Sequence, residues 1–314
     1  MIAQIKRAIA STTNIHLAGN RPNVFIFSTP RSGSTWLMEL ILTQPGFKPC
    51  NEPFNLWDPD VSQCLARLDI TDWADLHTLH GHHAMHTYIQ GFCDGRLRFK
   101  NPFFYRNYFR LMTHRIVFKI LHAGEERINW FRDTFNGRIV FLLRHPIAVS
   151  VSRKFYPRLD AFLNTEYSEH FSERQLREAR KIIDSGTRLE QGVLDWCLQN
   201  AVPLRDATPD WIIISYEQLI IDPRPVLKVL ASRLELPIPE RMVQRLTIPS
   251  ASTHKCDEKT KQVLKNRKEN NRWVLEKWRE KVTEEEERRA MEILEQFNVD
   301  LYRFGDPACK LVVS

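Results

Sequence analysis

Residues 23–37 read Asn23-Val-Phe-Ile-Phe-Ser-Thr-Pro-Arg-Ser-Gly-Ser-Thr-Trp-Leu37, and the order of residue types in this stretch decides the fold. Val24 to Phe27 is a short apolar run, which predicts a buried strand. Thr29 and Pro30 break it, Arg31 to Thr35 forms a small-residue turn, and from Trp36 to Leu42 the apolar spacing becomes helical. A strand feeding such a turn into a helix aims unpaired backbone N–H groups and the positive end of the helix dipole at one point. That arrangement is an anion site. Around the one glycine, Gly33, the residues Arg31, Ser32, Ser34 and Thr35 add a cation and hydroxyl donors. The expected ligand is a phosphate or a sulfate ester.

A second stretch, Arg138-Ile-Val-Phe-Leu-Leu-Arg-His-Pro-Ile-Ala-Val-Ser-Val-Ser-Arg153, repeats the theme. Ile139 to Leu143 predicts a strand closed by Arg144, and Pro146 suits the first turn of a helix. Ser152, eight positions after Arg144, is expected about two turns along that helix. Arg144 and Ser152 would then face one crevice above the carboxyl edge of a sheet, where open α/β sheets bind ligands. Further apolar runs, Ile116–Leu121 and Ile212–Ser215, alternate with helical patterns such as Thr35–Thr43, Glu173–Asp184 and Leu189–Gln199. Alternating strands and helices predict an α/β fold with a mainly parallel central sheet flanked by helices. The chain then turns helical, with segments at Pro225–Leu234 and Glu240–Leu246. A capping-box signature at Thr283-Glu-Glu-Glu286 opens a last helix to about Gln296.

Taken together, these segments resemble the sulfotransferases that use 3′-phosphoadenosine 5′-phosphosulfate (PAPS). Ser28-Thr-Pro-Arg-Ser-Gly-Ser-Thr-Trp36 is similar to the family's 5′-phosphosulfate loop, with Arg31 where cytosolic members carry Lys. Arg144 and Ser152 match its pair for the 3′-phosphate, and Trp211-Ile-Ile-Ile-Ser-Tyr-Glu-Gln-Leu219 matches its strand ending in Tyr-Glu. The resemblance implies a P-loop-like sulfotransferase architecture with PAPS as co-substrate and no metal. It assigns donor binding to Arg31, Ser32, Gly33, Ser34, Thr35, Trp36, Arg144, Ser152, Tyr216 and Lys255. Lys255 opens a charge run to Lys268, read as a cover over the nucleotide or a solvated helix. Trp273 and Trp278 are the main apolar anchors of the surrounding Asp257–Lys281 stretch.

The loop is related to the nucleotide-binding P-loop without being one. It has one glycine, its cation precedes that glycine, and no Gly-Lys-Ser/Thr triplet occurs in the chain. A phosphoryl transferase of the P-loop type is thereby disfavoured and stays as one alternative. A non-catalytic PAPS- or PAP-binding protein (PAP being 3′-phosphoadenosine 5′-phosphate) is the other, and the intact Arg31, Arg144 and Ser152 speak against it.

Transfer also needs a base for the acceptor's proton. Glu52, in Asn51-Glu-Pro-Phe-Asn55, resembles the Glu-Pro of carbohydrate sulfotransferases. His122, in Phe118-Lys-Ile-Leu-His122, resembles the base of cytosolic members, with Lys119 beside the transferring group, although here the two stand one residue further apart. Both residue types serve as general bases, and both stay open. His77, His80, His82, His83 and His86 fall within ten residues, and His82 and His86 have the helical spacing of a metal pair. They are read instead as bordering the acceptor side; of the aromatics crowding the same region, Trp57, Trp73, Phe92, Phe103, Phe104, Tyr105 and Tyr108, most are expected in the core and some to line an apolar acceptor site.

With 314 residues, no low-complexity linker and no repeat, one domain spanning 1–314 is expected. A net charge of +7 suits a polyanionic co-substrate. Basic residues are not interleaved with aromatics as in nucleic-acid modules, so no nucleic-acid partner is expected. The six cysteines have no paired spacing, which argues against a zinc ribbon or a disulfide framework. The sequence has no apolar run near the roughly 20 residues needed to cross a bilayer and no signal-peptide core at its start. A cytoplasmic enzyme acting on a small-molecule acceptor, without a membrane partner, is the expectation; the sequence leaves the oligomeric state unassigned.

Overall fold

The computed structural model describes residues 15–97, 110–250 and 271–311. Five strands form the central sheet: β1 (Asn23–Ser28), β2 (Phe47–Asn51), β3 (Arg115–Ile120), β4 (Gly137–Leu143) and β5 (Ile212–Ser215). Their order is β2-β3-β1-β4-β5 and every pairing is parallel. The predicted α/β fold with a mainly parallel sheet is what the chain adopts. A separate two-stranded parallel ladder joins Ile15–His16 to Met112–Thr113.

Strand periodicity of two divides the core. Phe25, Phe27, Phe118, Ile120, Ile139 and Phe141 point to one face, while Val24, Ile26, Val117, Val140, Ile212 and Ile214 point to the other. Both faces are covered by helices, so the strands read as continuous apolar runs rather than alternating ones. Register puts Phe25 opposite Phe118, and their rings stack at 4.6 Å.

Four of the five strands follow the sequence expectation. β2 was not expected, because Lys48 and Pro49 interrupt its apolar pattern. Proline is tolerated there because β2 is an outer strand among the described residues.

Helices lie where periodicity placed them: Ser34–Ile41, Glu173–Ser185, Arg188–Asp206, Pro223–Arg233, Pro239–Arg245 and Glu284–Gln296. The Thr283/Glu286 capping box forms in both directions. The helix opened by Pro146 ends at Ser150. Ser152 therefore lies in the turn beyond it rather than two turns along, which corrects the expectation. The cause is local. Ser150 Oγ donates to Pro146 O at 2.7 Å and Ser152 Oγ to Val149 O at 2.8 Å, and serine back-bonding of this kind competes with helix continuation. Among the described residues, no helix is long and apolar enough to cross a membrane.

Candidate functional site

All the expected site residues that are described lie at the carboxyl ends of β1, β2, β3, β4 and β5. After β1 the chain turns through Arg31, held at φ 78°, and Gly33, at φ 91°. The first is a strained conformation for a residue with a side chain, and such strain clusters at working sites. A Cβ on Gly33 would stand 2.6 Å from Tyr216 Cδ2, so only glycine lets the turn approach that ring. No side chain caps the helix Ser34–Ile41, which leaves its first-turn N–H groups for an external acceptor. The hydroxyls of Ser28 and Ser32 are buried and have no partner among the described residues. The Arg31 side chain is exposed. An uncapped helix start, two orphaned hydroxyls and a free-standing cation fit an anionic ester.

Arg144 follows β4 and joins that turn. Its guanidinium donates to the Arg31 carbonyl at 2.9 Å and lies 4.3 Å over the Tyr216 ring. Ser152 is exposed, with its hydroxyl turned to its own backbone. Trp36 meets Tyr216 edge-on at 6.2 Å. Lys255 lies outside the described residues, as do Phe103, Phe104, Tyr105, Tyr108, Cys256 and the charge run to Lys268. The five described cysteines are free thiols. Trp278, from the stretch expected to cover the nucleotide, stacks at 4.6 Å on His145, the residue after Arg144.

On the other side of the turn, β2 and β3 deliver Glu52 and Lys119. Lys119 Nζ stands 2.8 Å from Glu52 Oε1 and 2.9 Å from Thr35 Oγ1, so one ammonium bridges the anion loop and the carboxylate. Glu52 adopts φ 53°, and its N–H donates to Lys119 O at 2.9 Å. Asn55 Nδ2 donates to the second carboxylate oxygen at 2.9 Å. Burial pushes the Glu52 carboxyl up, but Lys119, with help from the Asn55 hydrogen bond, more than reverses this and holds it below the usual range.

β3 ends at Ile120, so His122 sits in the bend beyond it and strand alternation does not govern its direction. It lies close enough to Glu52 to feel that residue's charge. Burial, and then Arg158, lower the imidazole to about 3, so it is neutral at physiological pH. Arg158 is itself buried, paired to Glu125 at 2.6 and 2.8 Å.

The histidine cluster divides among structural contacts. His77 is buried against Glu126 at 3.3 Å, His80 meets Leu68 O at 3.0 Å, and His82 packs edge-on to Trp130 at 4.4 Å. Among the described residues, no group of three or more His, Cys, Asp or Glu is disposed to hold a metal ion.

Sequence reading missed the residues that brace these loops. From one face of the helix Arg188–Asp206, Trp196 Nε1 donates to Arg144 O at 3.0 Å and Asn200 Nδ2 to Thr29 Oγ1 at 2.8 Å. Glu217 accepts the His145 N–H at 2.9 Å, tying the Tyr-Glu pair to the Arg144 loop. The i, i+4 spacing of Trp196 and Asn200 was the available signal.

Among solved structures, the chain is similar to the sulfotransferase domain of the Synechococcus PCC 7002 olefin synthase (18% identity over 91% of this chain and 98% of that one, TM-score 0.45). It is also similar to mouse sulfotransferase SULT7A1 complexed with PAP (14% identity, 93% and 89% coverage, TM-score 0.44). A sulfotransferase domain of the curacin biosynthetic pathway aligns at 15% identity over 90% and 99% of the two chains, with TM-score 0.43. No curated protein matches in sequence. The profile of the sulfotransferase domain matches residues 21–302, and the chain belongs to that family.

Proposed function

We propose that the protein transfers a sulfuryl group from PAPS to a hydroxyl, or to an amine or guanidine nitrogen, of a small-molecule acceptor. One observation carries this reading: Lys119 touches Thr35 of the anion loop and Glu52 at once, at 2.9 and 2.8 Å. In this reading donor and acceptor ends share a single ammonium, which suits in-line transfer because the protein's main work is positioning and charge neutralisation.

In this scheme the first-turn N–H groups and Arg31 hold the 5′-phosphate and the bridging oxygen. Arg144 and Ser152 take the 3′-phosphate, and the Tyr216 ring takes the adenine. Lys119 faces the oxygens of the transferring group. Glu52 is the base: it removes the proton from the acceptor O–H or N–H as the new bond to sulfur forms. The bond from sulfur to the bridging oxygen breaks, and PAP leaves. His122 is the second candidate, since its ring is neutral, lies near Glu52 and sits against Trp57 and Trp73 at 6.4 and 6.2 Å.

Incubation with labelled PAPS and an extract of the source organism, followed by mass spectrometry of the labelled product, tests the reading. Glu52→Gln should keep PAP affinity while transfer drops by about 10²–10⁴, with His122→Ala the milder change. The reverse order moves the base to His122. Thermal stabilisation by ATP–Mg²⁺ and none by PAP would replace the reading with phosphoryl transfer.

A further inference from the structure

The helix Arg188–Asp206 touches every loop that carries an expected anion-binding group. At its start, Arg188 Nη2 donates to Arg153 O at 2.6 Å. A Cβ on Gly192 would stand 2.7 Å from Ser150 Cβ and 2.4 Å from Tyr156 Oη, and that hydroxyl donates to Ser150 O at 3.1 Å. Asp195 pairs with the buried Arg153 guanidinium and accepts Gln199 Nε2 at 2.5 Å. Ser152 is exposed, yet Ser150 and Arg153 on either side of it are fastened to this one helix. The next residue, Trp196, holds the Arg144 carbonyl at 3.0 Å, and a turn later Asn200 holds Thr29 Oγ1 at 2.8 Å. Asp195, Trp196 and Asn200 are at most 1% exposed, so none of them reaches a ligand in the crevice.

We infer that Asp195 and Trp196 are positioning residues that set Ser152 and Arg144 for a 3′-phosphate, and so fix the preference for a 3′-phosphorylated nucleotide without touching it. Asn200 does the same for the 5′ loop through Thr29. This rests on the donor assignment above and adds the element that spaces its two halves. A helix is a stiff ruler: at ~1.5 Å per residue, Gly192 and Asn200 stand about 12 Å apart along its axis. The groups it holds need that support, because the Ser150 and Ser152 hydroxyls bond only their own backbone. Anion-binding groups select best when they are held in place before the ligand arrives. The Arg153–Asp195 pair agrees with this role. Apolar residues of similar volume would stabilise a buried spot as well or better, whereas a charged pair also fixes a direction.

The test is calorimetry with PAP and with adenosine 5′-monophosphate, which lacks the 3′-phosphate, read beside thermal unfolding. Wild-type protein should bind PAP about a hundredfold more tightly than the monophosphate, as charge-assisted contacts imply. Trp196→Phe keeps the bulk and removes only the N–H; it should cut that ratio about tenfold and leave the monophosphate's affinity within about twofold. Asn200→Ala should weaken both nucleotides alike, because both carry the 5′-phosphate. Asp195→Asn alone would strand a buried guanidinium, so the Ser152 turn is tested with Arg153→Met and Asp195→Leu together. That double variant should melt near wild type and still show the reduced ratio. A wild-type ratio in both Trp196→Phe and the double variant, whatever their melting, makes the helix a scaffold only and overturns the inference. Wild-type protein that binds the two nucleotides equally would instead sink the donor assignment itself, before any variant is compared.

Discussion

Arg144 donates its guanidinium N–H to the carbonyl of Arg31 at 2.9 Å, within the turn where Arg31 adopts φ 78°. Two loops separated by more than a hundred residues are thereby set at a fixed distance, with the Tyr216 ring beneath the guanidinium at 4.3 Å. A cation already oriented by a backbone oxygen and an aromatic face needs little reordering to meet an anion.

Arg144→Ala should weaken PAP far more than adenosine 5′-phosphosulfate, which lacks the 3′-phosphate. The expected loss for a charge-assisted contact is about 1.5–3 kcal/mol. Calorimetry with both nucleotides decides it: equal weakening would make Arg144 a loop brace alone.

Gly33→Ala forces a Cβ to within 2.6 Å of Tyr216 Cδ2 at a backbone φ of 91°. Strain of this kind costs on the order of 1–3 kcal/mol. Thermal unfolding should fall accordingly, and PAP affinity should fall with it as the Tyr216 ring is displaced. A variant with wild-type melting and binding would show that the turn relaxes freely.

Stability should decline on acidification because three imidazoles are buried neutral. Burial is the first cause in each case; it lowers His16 to about 4, and His122 and His145 to about 3. The unfolded chain takes up these protons near pH ~6.5. Between that value and the folded ones the unfolded state binds more protons, so stability is lost as pH falls through the window. His145, stacked on Trp278, has no partner for either ring nitrogen among the described residues. His145→Phe should therefore fold as well as wild type at pH 7 and lose less stability by pH 4, measured as urea midpoints. An unchanged pH slope would count against this.

The Arg158–Glu125 pair is buried, with two contacts of 2.6 and 2.8 Å. Arg158→Met strands the carboxylate and should cost about 3–5 kcal/mol, whereas Arg158→Met with Glu125→Met should recover much of it. A single variant within ~1 kcal/mol of wild type would mean that Glu125 finds water.

The fold was legible because β1, β3, β4 and β5 are buried on both faces and so read as plain apolar runs. β2 was illegible for the opposite reason, as an outer strand can carry Lys48 and Pro49. Within the site, the Arg31–Thr35 turn and Arg144 were readable from local order. Local order failed at Ser152, where two serine hydroxyls end the helix early. The Glu217–His145 contact spans 72 residues and the Arg158–Glu125 pair 33, and neither has a local signature. The Lys119–Glu52 bridge comes from strand register, Asn51 opposite Lys119, which depends on the strand that the sequence hid.

Pro49 has a further consequence at high protein concentration. Arg115 N–H bonds Gly46 O and Glu52 N–H bonds Lys119 O, so the even-numbered residues of β2 turn their backbone groups toward β3. The odd-numbered ones, Pro49 in the middle, face outward. Among the described residues this rim of the sheet thus lacks a donor at its midpoint, and a strand pairing there would find its ladder interrupted. Among the described residues, Pro49 thus works against edge-to-edge pairing along the strand that delivers Glu52.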